Sequence, residues 1–164
     1  MRSQQHPGTS GNQQYATVAN TAALNPTSAI TISAWVNATN WSGNRRIVQK
    51  GLSDNQYRLL AENGVLKFDL KNVGSITAAL PSTGVWHLIT GTYDGAKMTL
   101  YVDGVVVATA AKTGAIAVTS DPLFIGAKKA GDTTSGNNFL GKIDDVRVYN
   151  KALTAGEVAA LLNR

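Results

Sequence analysis

Ten carboxylates, fifteen cationic side chains and two histidines carry whatever acid–base chemistry this 164-residue chain can do. Glycoside hydrolysis needs two carboxyl groups flanking the scissile bond. The two glutamates are Glu62, beside an Asn63-Gly64 turn, and Glu157, in a helix-start pattern. Asp69 stands between Lys67 and Lys71, and the adjacent Asp144 and Asp145 would point to opposite faces of a strand. No strand-like run holds two carboxylates at a spacing of two, so hydrolysis is not expected. His6 lies in a weakly patterned N-terminal stretch and His87 in a Trp-His strand, without the positioned partners a general base needs. The absence of cysteine excludes a disulfide framework, thiolate metal sites and a cysteine nucleophile.

The cations read better as a binding surface. Leu66, Phe68 and Leu70 alternate with Lys67, Asp69 and Lys71, and Tyr57 and Leu59 alternate with Arg58. Arg45, Arg46 and Lys50 occupy the run before it. Strands consecutive in sequence usually pair, which predicts a basic sheet face of about six cations and one carboxylate. Guanidinium forks match carboxylate and sulfate geometry, so an acidic polysaccharide would fit. The net charge of +5 points the same way. Trp41 sits in the 37–44 loop among Asn40, Ser42, Gly43 and Asn44, where it is a candidate for stacking on a sugar ring. Lys128, Lys129 and the Asn137-Asn138 pair lie in another loop that would line the same end. Trp35 and Trp86 fall inside strand motifs and read as core residues. The basic residues are dispersed and not interleaved with aromatics, so nucleic acid is not an expected partner.

These side chains must be held by strands. Ile30, Ile32, Ala34 and Val36 alternate with Thr31, Ser33 and Trp35, and Met98, Leu100 and Val102 alternate with Thr99 and Tyr101. Asn63-Gly64, Asp94-Gly95 and Asp103-Gly104 mark hairpin turns of an antiparallel meander. Strands are predicted over roughly 14–19, 28–37, 45–50, 56–61, 65–71, 74–80, 86–93, 97–103, 105–110, 122–126 and 139–149. One helix is predicted, at the C-terminus, where Thr154 and Glu157 form a capping box ahead of Val158, Leu161 and Leu162. The length suits one domain. The expected fold is all-β: a two-sheet antiparallel β-sandwich, or jelly roll, with one short C-terminal helix. Residues 10–164 would form the domain, and residues 1–9 an N-terminal arm. No run is long enough to span a bilayer, and the first fourteen residues lack the apolar core of a signal peptide.

Several ordered segments carry a resemblance. These are Tyr15-Ala-Thr-Val-Ala-Asn, Ile30-Thr-Ile-Ser-Ala-Trp-Val, Ile47-Val-Gln-Lys-Gly, Gly84-Val-Trp-His-Leu-Ile-Thr-Gly-Thr-Tyr-Asp-Gly, Leu100-Tyr-Val-Asp-Gly, Leu123-Phe-Ile-Gly and Gly141-Lys-Ile-Asp-Asp-Val-Arg-Val-Tyr. Together they resemble laminin-G-like domains of the concanavalin A-like lectin and glucanase superfamily over roughly residues 10–162. The resemblance implies a lectin-like carbohydrate-binding module, secreted or at the cell surface, with a catalytic domain in a longer parent chain. It also implies a structural calcium ion on Asp144, with the Gly11 carbonyl and an oxygen of Ser10 or Asn12 as further ligands. Thr9 and Ser10 stand where the family has an apolar and an acidic or amide residue. The paired glutamates of the superfamily's glucanases and a clustered Gln-His-Tyr set of its lyase relatives are both missing. A structural or adhesive protein-binding domain and a small polysaccharide lyase are the alternatives.

Overall fold

A computed structural model of the chain describes residues 14–52, 56–130 and 137–163. The elements run β1 (Ala16–Val18), β2 (Ile30–Ala38), β3 (Arg46–Lys50), β4 (Tyr57–Glu62), β5 (Val65–Leu70), β6 (Gly74–Ala78), β7 (His87–Tyr93), β8 (Lys97–Val102), β9 (Val105–Ala111), β10 (Leu123–Ile125), β11 (Gly141–Tyr149) and α1 (Ala155–Ala160). A single 3-10 turn covers Ala22–Leu24. The strands form two antiparallel sheets, ordered β1-β10-β3-β4-β5-β6 and β11-β2-β7-β8-β9. Each predicted strand is present.

The alternation of apolar residues decides what faces inward. Tyr57, Leu59, Leu66, Phe68 and Leu70 from the first sheet meet Ile30, Ile32, Val36, Ile89 and Leu100 from the second, all essentially inaccessible to solvent. Phe68 of the first sheet lies over Gly91 of the second. A Cβ at position 91 would come within 2.6 Å of the Phe68 ring, so this glycine exists to admit the aromatic side chain.

Two of the hairpins turn as their sequences require. Asn63 and Gly64 have φ of 53° and 80°, and Asp103 and Gly104 have 51° and 76°. Positive φ at both central residues is the type I′ geometry. The Asp94-Gly95 connection is built differently, with Asp94 Oδ1 accepting from the N–H groups of Ala96 and Lys97 at 2.9 and 2.7 Å. At the C-terminus the capping box forms as the sequence predicts: Glu157 N–H donates to Thr154 Oγ1, and Thr154 N–H donates to the Glu157 carboxylate. The helix then seats Val158 with Tyr101 and Leu153 against the outer side of the five-stranded sheet. Among the described residues, no helix is long and apolar enough to cross a membrane.

One irregularity controls the predicted site. Arg46 pairs with Leu60 while Val48 pairs with Leu59, so Ile47 is an extra residue in β3. Such a bulge reverses the in–out parity of everything beyond it.

Candidate functional site

The outer face of the six-stranded sheet gathers charged side chains from three neighbouring strands. Arg58 on β4 faces Asp69 on β5, and Leu60 faces Lys67. Arg46 on β3 completes the set. Arg58 forks onto Asp69: Nε donates to Oδ2 at 2.8 Å, and Nη2 makes a second, shorter bond to the same oxygen. Glu62 is the second centre. It accepts from Lys67 Nζ at 2.9 Å and lies 3.8 Å from both Arg46 Nη1 and Arg58 Nη1. Arg46 Nε also donates to Gln49 Oε1 at 2.9 Å, and Gln49 in turn donates to the carbonyls of Gly51 and Lys128. The backbone of Asn137 borders the same strand, its carbonyl accepting from Arg46 N–H at 3.2 Å.

This arrangement changes the expected surface in three ways. Lys50 does not share the face. The bulge at Ile47 turns it inward, where it is fully buried and Nζ donates to Asn20 Oδ1, Thr119 O and Asp121 O at 2.8, 3.1 and 2.7 Å. Burial lowers its pKa, against the opposing charge of Asp121. Arg45 also points away. It is buried between loops, with Nη1 donating to Asn138 O at 2.9 Å and Nη2 reaching Ser42 Oγ at 3.4 Å, and desolvation lowers its pKa. Finally, the face holds two carboxylates rather than one, because Glu62 at the end of β4 shares it with Asp69. The result is a cross-linked ion network of Arg46, Arg58 and Lys67 with Glu62 and Asp69, not an open array of six cations. Lys71 lies just past β5 and is exposed, and Lys128 is half-buried.

Two carboxylates on one sheet face revive the question of hydrolysis. Burial alone would raise the Glu62 carboxyl, but the hydrogen bond from Lys67 and the charges of Lys67, Arg58 and Arg46 outweigh it and hold it below its ordinary value. A glycosidase acid needs the opposite shift to keep its proton at neutral pH. The network therefore suits recognition better than proton transfer.

His87 joins another series. Its Nε2 is 2.9 Å from Ser82 Oγ and its Nδ1 is 2.7 Å from Asp103 Oδ2, while Asp103 Oδ1 accepts from Leu88 N–H. The order of partners is that of a nucleophilic triad, in which the aspartate is buried. Here the Asp103 side chain is 44% exposed. We read the series as a tie between the loop before β7 and the β8–β9 turn.

The tryptophans are redistributed. Trp41 packs onto the edge of the core, edge-to-face with Phe139 at 5.6 Å, and its Nε1 donates to Pro81 O at 2.9 Å. It anchors its loop. Trp35 and Trp86 are not core residues. On β2 the Ile30, Ile32, Ala34 and Val36 set faces inward, which leaves Trp35 half-buried on the outer side, and Trp86 is 38% exposed.

Of the expected calcium ligands, Ser10, Gly11 and Asn12 lie outside the described residues. Asp144 is exposed on β11, beside a second bulge, and its Oδ1 accepts from Asp145 N–H at 2.8 Å. It is Asp145 that pairs with Arg147, at 2.6 Å. Among the described residues, no three His, Cys, Asp or Glu side chains converge to hold a metal ion.

The fold is shared with solved binding domains. The binding domain of Paraclostridial Mosquitocidal Protein 1 superposes with a TM-score of 0.71 at 20% identity, over 93% of this chain and 41% of that one. Domain 4 of AbnA, a GH43 extracellular arabinanase from Geobacillus stearothermophilus solved with arabinotriose, gives 0.72 at 17% identity, over 99% and 82%. The Botulinum neurotoxin serotype D ligand binding domain, solved with N-acetylneuraminic acid, gives 0.64 at 16% identity, over 92% and 39%. The chain thus spans about two fifths of the first and third of these proteins. At such identities the likeness shows the fold alone. No curated protein matches the sequence. The laminin-G family model matches residues 10–159, and with the two-sheet sandwich this places the chain in the concanavalin A-like lectin/glucanases superfamily.

Proposed function

We propose that this chain is a non-catalytic polysaccharide-binding module that prefers acidic glycans and works outside the cell, attached to a longer protein. The observation that carries the preference is the clustering of Arg46, Arg58 and Lys67 on one outer sheet face. Arg46 and Arg58 are buried, with 4% and 9% of their side chains exposed, so a glycan carboxylate or sulfate would meet Lys67, at 21%, first and would have to displace Glu62 and Asp69 to reach the guanidinium groups. The overall charge of +5 would draw a polyanion toward it. Lys71, Lys128 and Asn137 border this face, and Trp41 braces the loop that leads into β3. Domain 4 of the arabinanase, which this chain matches over 82% of that domain's length, was solved with the neutral sugar arabinotriose, which supports sugar binding on this fold but not the preference for acidic glycans.

Affinity electrophoresis against acidic and neutral polysaccharides, at low and high salt, tests the reading. Retardation by an acidic polymer that weakens with salt is expected, and the Arg58→Gln/Lys67→Gln pair should reduce it. Indifference of the double variant would remove the site assignment. Release of unsaturated products from a uronate polymer would point instead to a lyase.

For calcium, Asp144 would supply one exposed oxygen, with Gly11 and Asn12 the proposed partners. Its role would be stabilising: calcium at a hundred times its dissociation constant adds about 2.7 kcal/mol. The melting temperature should then rise with calcium and fall with chelator, and Asp144→Asn should abolish the difference.

The adhesive alternative draws on one observation. Edge strand β9 carries no charge and exposes Val105, Val106 and Val107. Such an edge invites pairing with another strand. Self-association in sedimentation, without glycan affinity, would favour that reading.

A further inference from the structure

We propose a second glycan-binding surface on the outer face of the five-stranded sheet, built on Trp86 and Trp35 and suited to neutral sugars. The inference rests on the chain being a carbohydrate-binding module, but it uses a different face from the ion network.

The register assembles the surface. Trp35 on β2 pairs with Leu88 on β7 and with Asp144 on β11, and Asn37 pairs with Lys142. Residues paired across a sheet share a face, so Trp35, Asn37, Lys142 and Asp144 all point outward. Inward-facing Ile143 separates the last two, and both are exposed. Trp86 directly precedes β7, two residues before Leu88, and extending the strand's alternation by one residue puts it on the outward side. It therefore sits on the diagonal from Trp35, a spacing of about 7–8 Å. The segment is held in place on both sides. Asn37 Nδ2 reaches Gly84 O at 3.4 Å, and His87 is tied to Ser82 and Asp103. Trp86 is 38% exposed and its neighbour Val85 is 50% exposed, although both lie beside well-ordered sheet.

Two indoles with an amide, an ammonium and a carboxylate at their rim have the composition of a sugar platform. Apolar C–H faces of a ring stack on the indoles, and hydroxyls bond to the polar rim. Charge decides the ligand class. In calcium-free buffer, which the test uses, Lys142 and Asp144 bring one charge of each sign and Arg147 is paired with Asp145, so this surface offers no net attraction to a polyanion, unlike the arginine-bearing face. A neutral glycan chain fits it.

The test uses the whole chain in calcium-free buffer and its tryptophan emission, with affinity electrophoresis against arabinan, xylan and mixed-linkage β-glucan, and polygalacturonate as the acidic control. One neutral polymer should bind, with little response to salt, and change the emission. Trp86→Ala should weaken that binding roughly tenfold, as expected for an exposed aromatic anchor. Trp86→Phe should restore part of it, at an unchanged melting temperature, and Arg58→Gln/Lys67→Gln should leave it intact. If Trp86→Ala binds the neutral polymer as well as the parent does, or if only polygalacturonate binds, the platform is overturned and the module reading stands. If no polymer binds, both fall.

Discussion

The two outer faces of this sandwich start from the same alternating pattern and end as different surfaces. On the six-stranded sheet the residues between the core positions are Arg58, Lys67 and Asp69, and they bind one another laterally. On the five-stranded sheet they are Thr31, Ser33, Trp35, Thr90 and Thr92. There Ser33 and Thr90 share a hydroxyl bond at 2.9 Å, and a short helix covers Tyr101 with Val158. The first face satisfies its charges within the sheet. The second borrows an apolar cover from elsewhere in the chain, and Trp86 at its far end is 38% exposed. A β-face need not be hydrophobic to be well ordered, but its polar groups must find partners.

Cutting the ion network should have the largest effect on stability. Arg58→Ala leaves Asp69 and Glu62 without their shared guanidinium at a site where the arginine side chain is 9% exposed. Breaking one partner out of such a pair costs about 3 kcal/mol, readable as a lower urea midpoint at constant slope. Val158→Ala on the opposite face should cost less, about 2 kcal/mol, by removing a fully buried contact with Tyr101 and Leu153. An Arg58→Ala cost no larger than that of Val158→Ala would mean that the network is ornamental and the helix cover is the stronger of the two.

The smallest effect separates the faces by pH. The folded Glu62 carboxyl is held below its ordinary value, so its contribution is fully present above the unfolded pKa of about 4.3 and is lost as pH falls through the folded value. Glu62→Gln should therefore cost about 1 kcal/mol at neutral pH and nearly nothing in strong acid. The Val158→Ala cost should not change over that range, because no carboxylate is involved. Denaturation curves of both variants at the two pH values check this. A Glu62→Gln cost that persists in acid would mean that the carboxylate contributes through packing rather than charge.

Much of the architecture was legible from local chemistry. The Asn63-Gly64 and Asp103-Gly104 turns, the eleven strands and the Thr154/Glu157 box all depend on residues close in sequence, and all are present. The strand order that gathers Arg58, Lys67 and Asp69 also followed, because consecutive hairpin strands pair. What could not be read was parity. Ile47, an ordinary strand residue by type, is the bulge that sends Lys50 inward while leaving Arg46 outside. The alternation of Ile30, Ile32, Ala34 and Val36 with Thr31, Ser33 and Asn37 did mark the core side of β2, and the reading of Trp35 as core followed its residue type instead of that pattern. In β2 the smaller Ile, Ala and Val side chains fit between the sheets and Trp35 was left outside, against the sequence expectation.

The sequence by itself determined that this chain would be a two-sheet antiparallel sandwich with a capped C-terminal helix, since alternation and turn chemistry act within a few residues. Only the tertiary structure decided which cations share a face, that Glu62 joins Asp69 among them, and that two tryptophans look outward. Those outcomes depend on register, and a single extra residue in a strand, such as Ile47, shifts register without leaving a local mark.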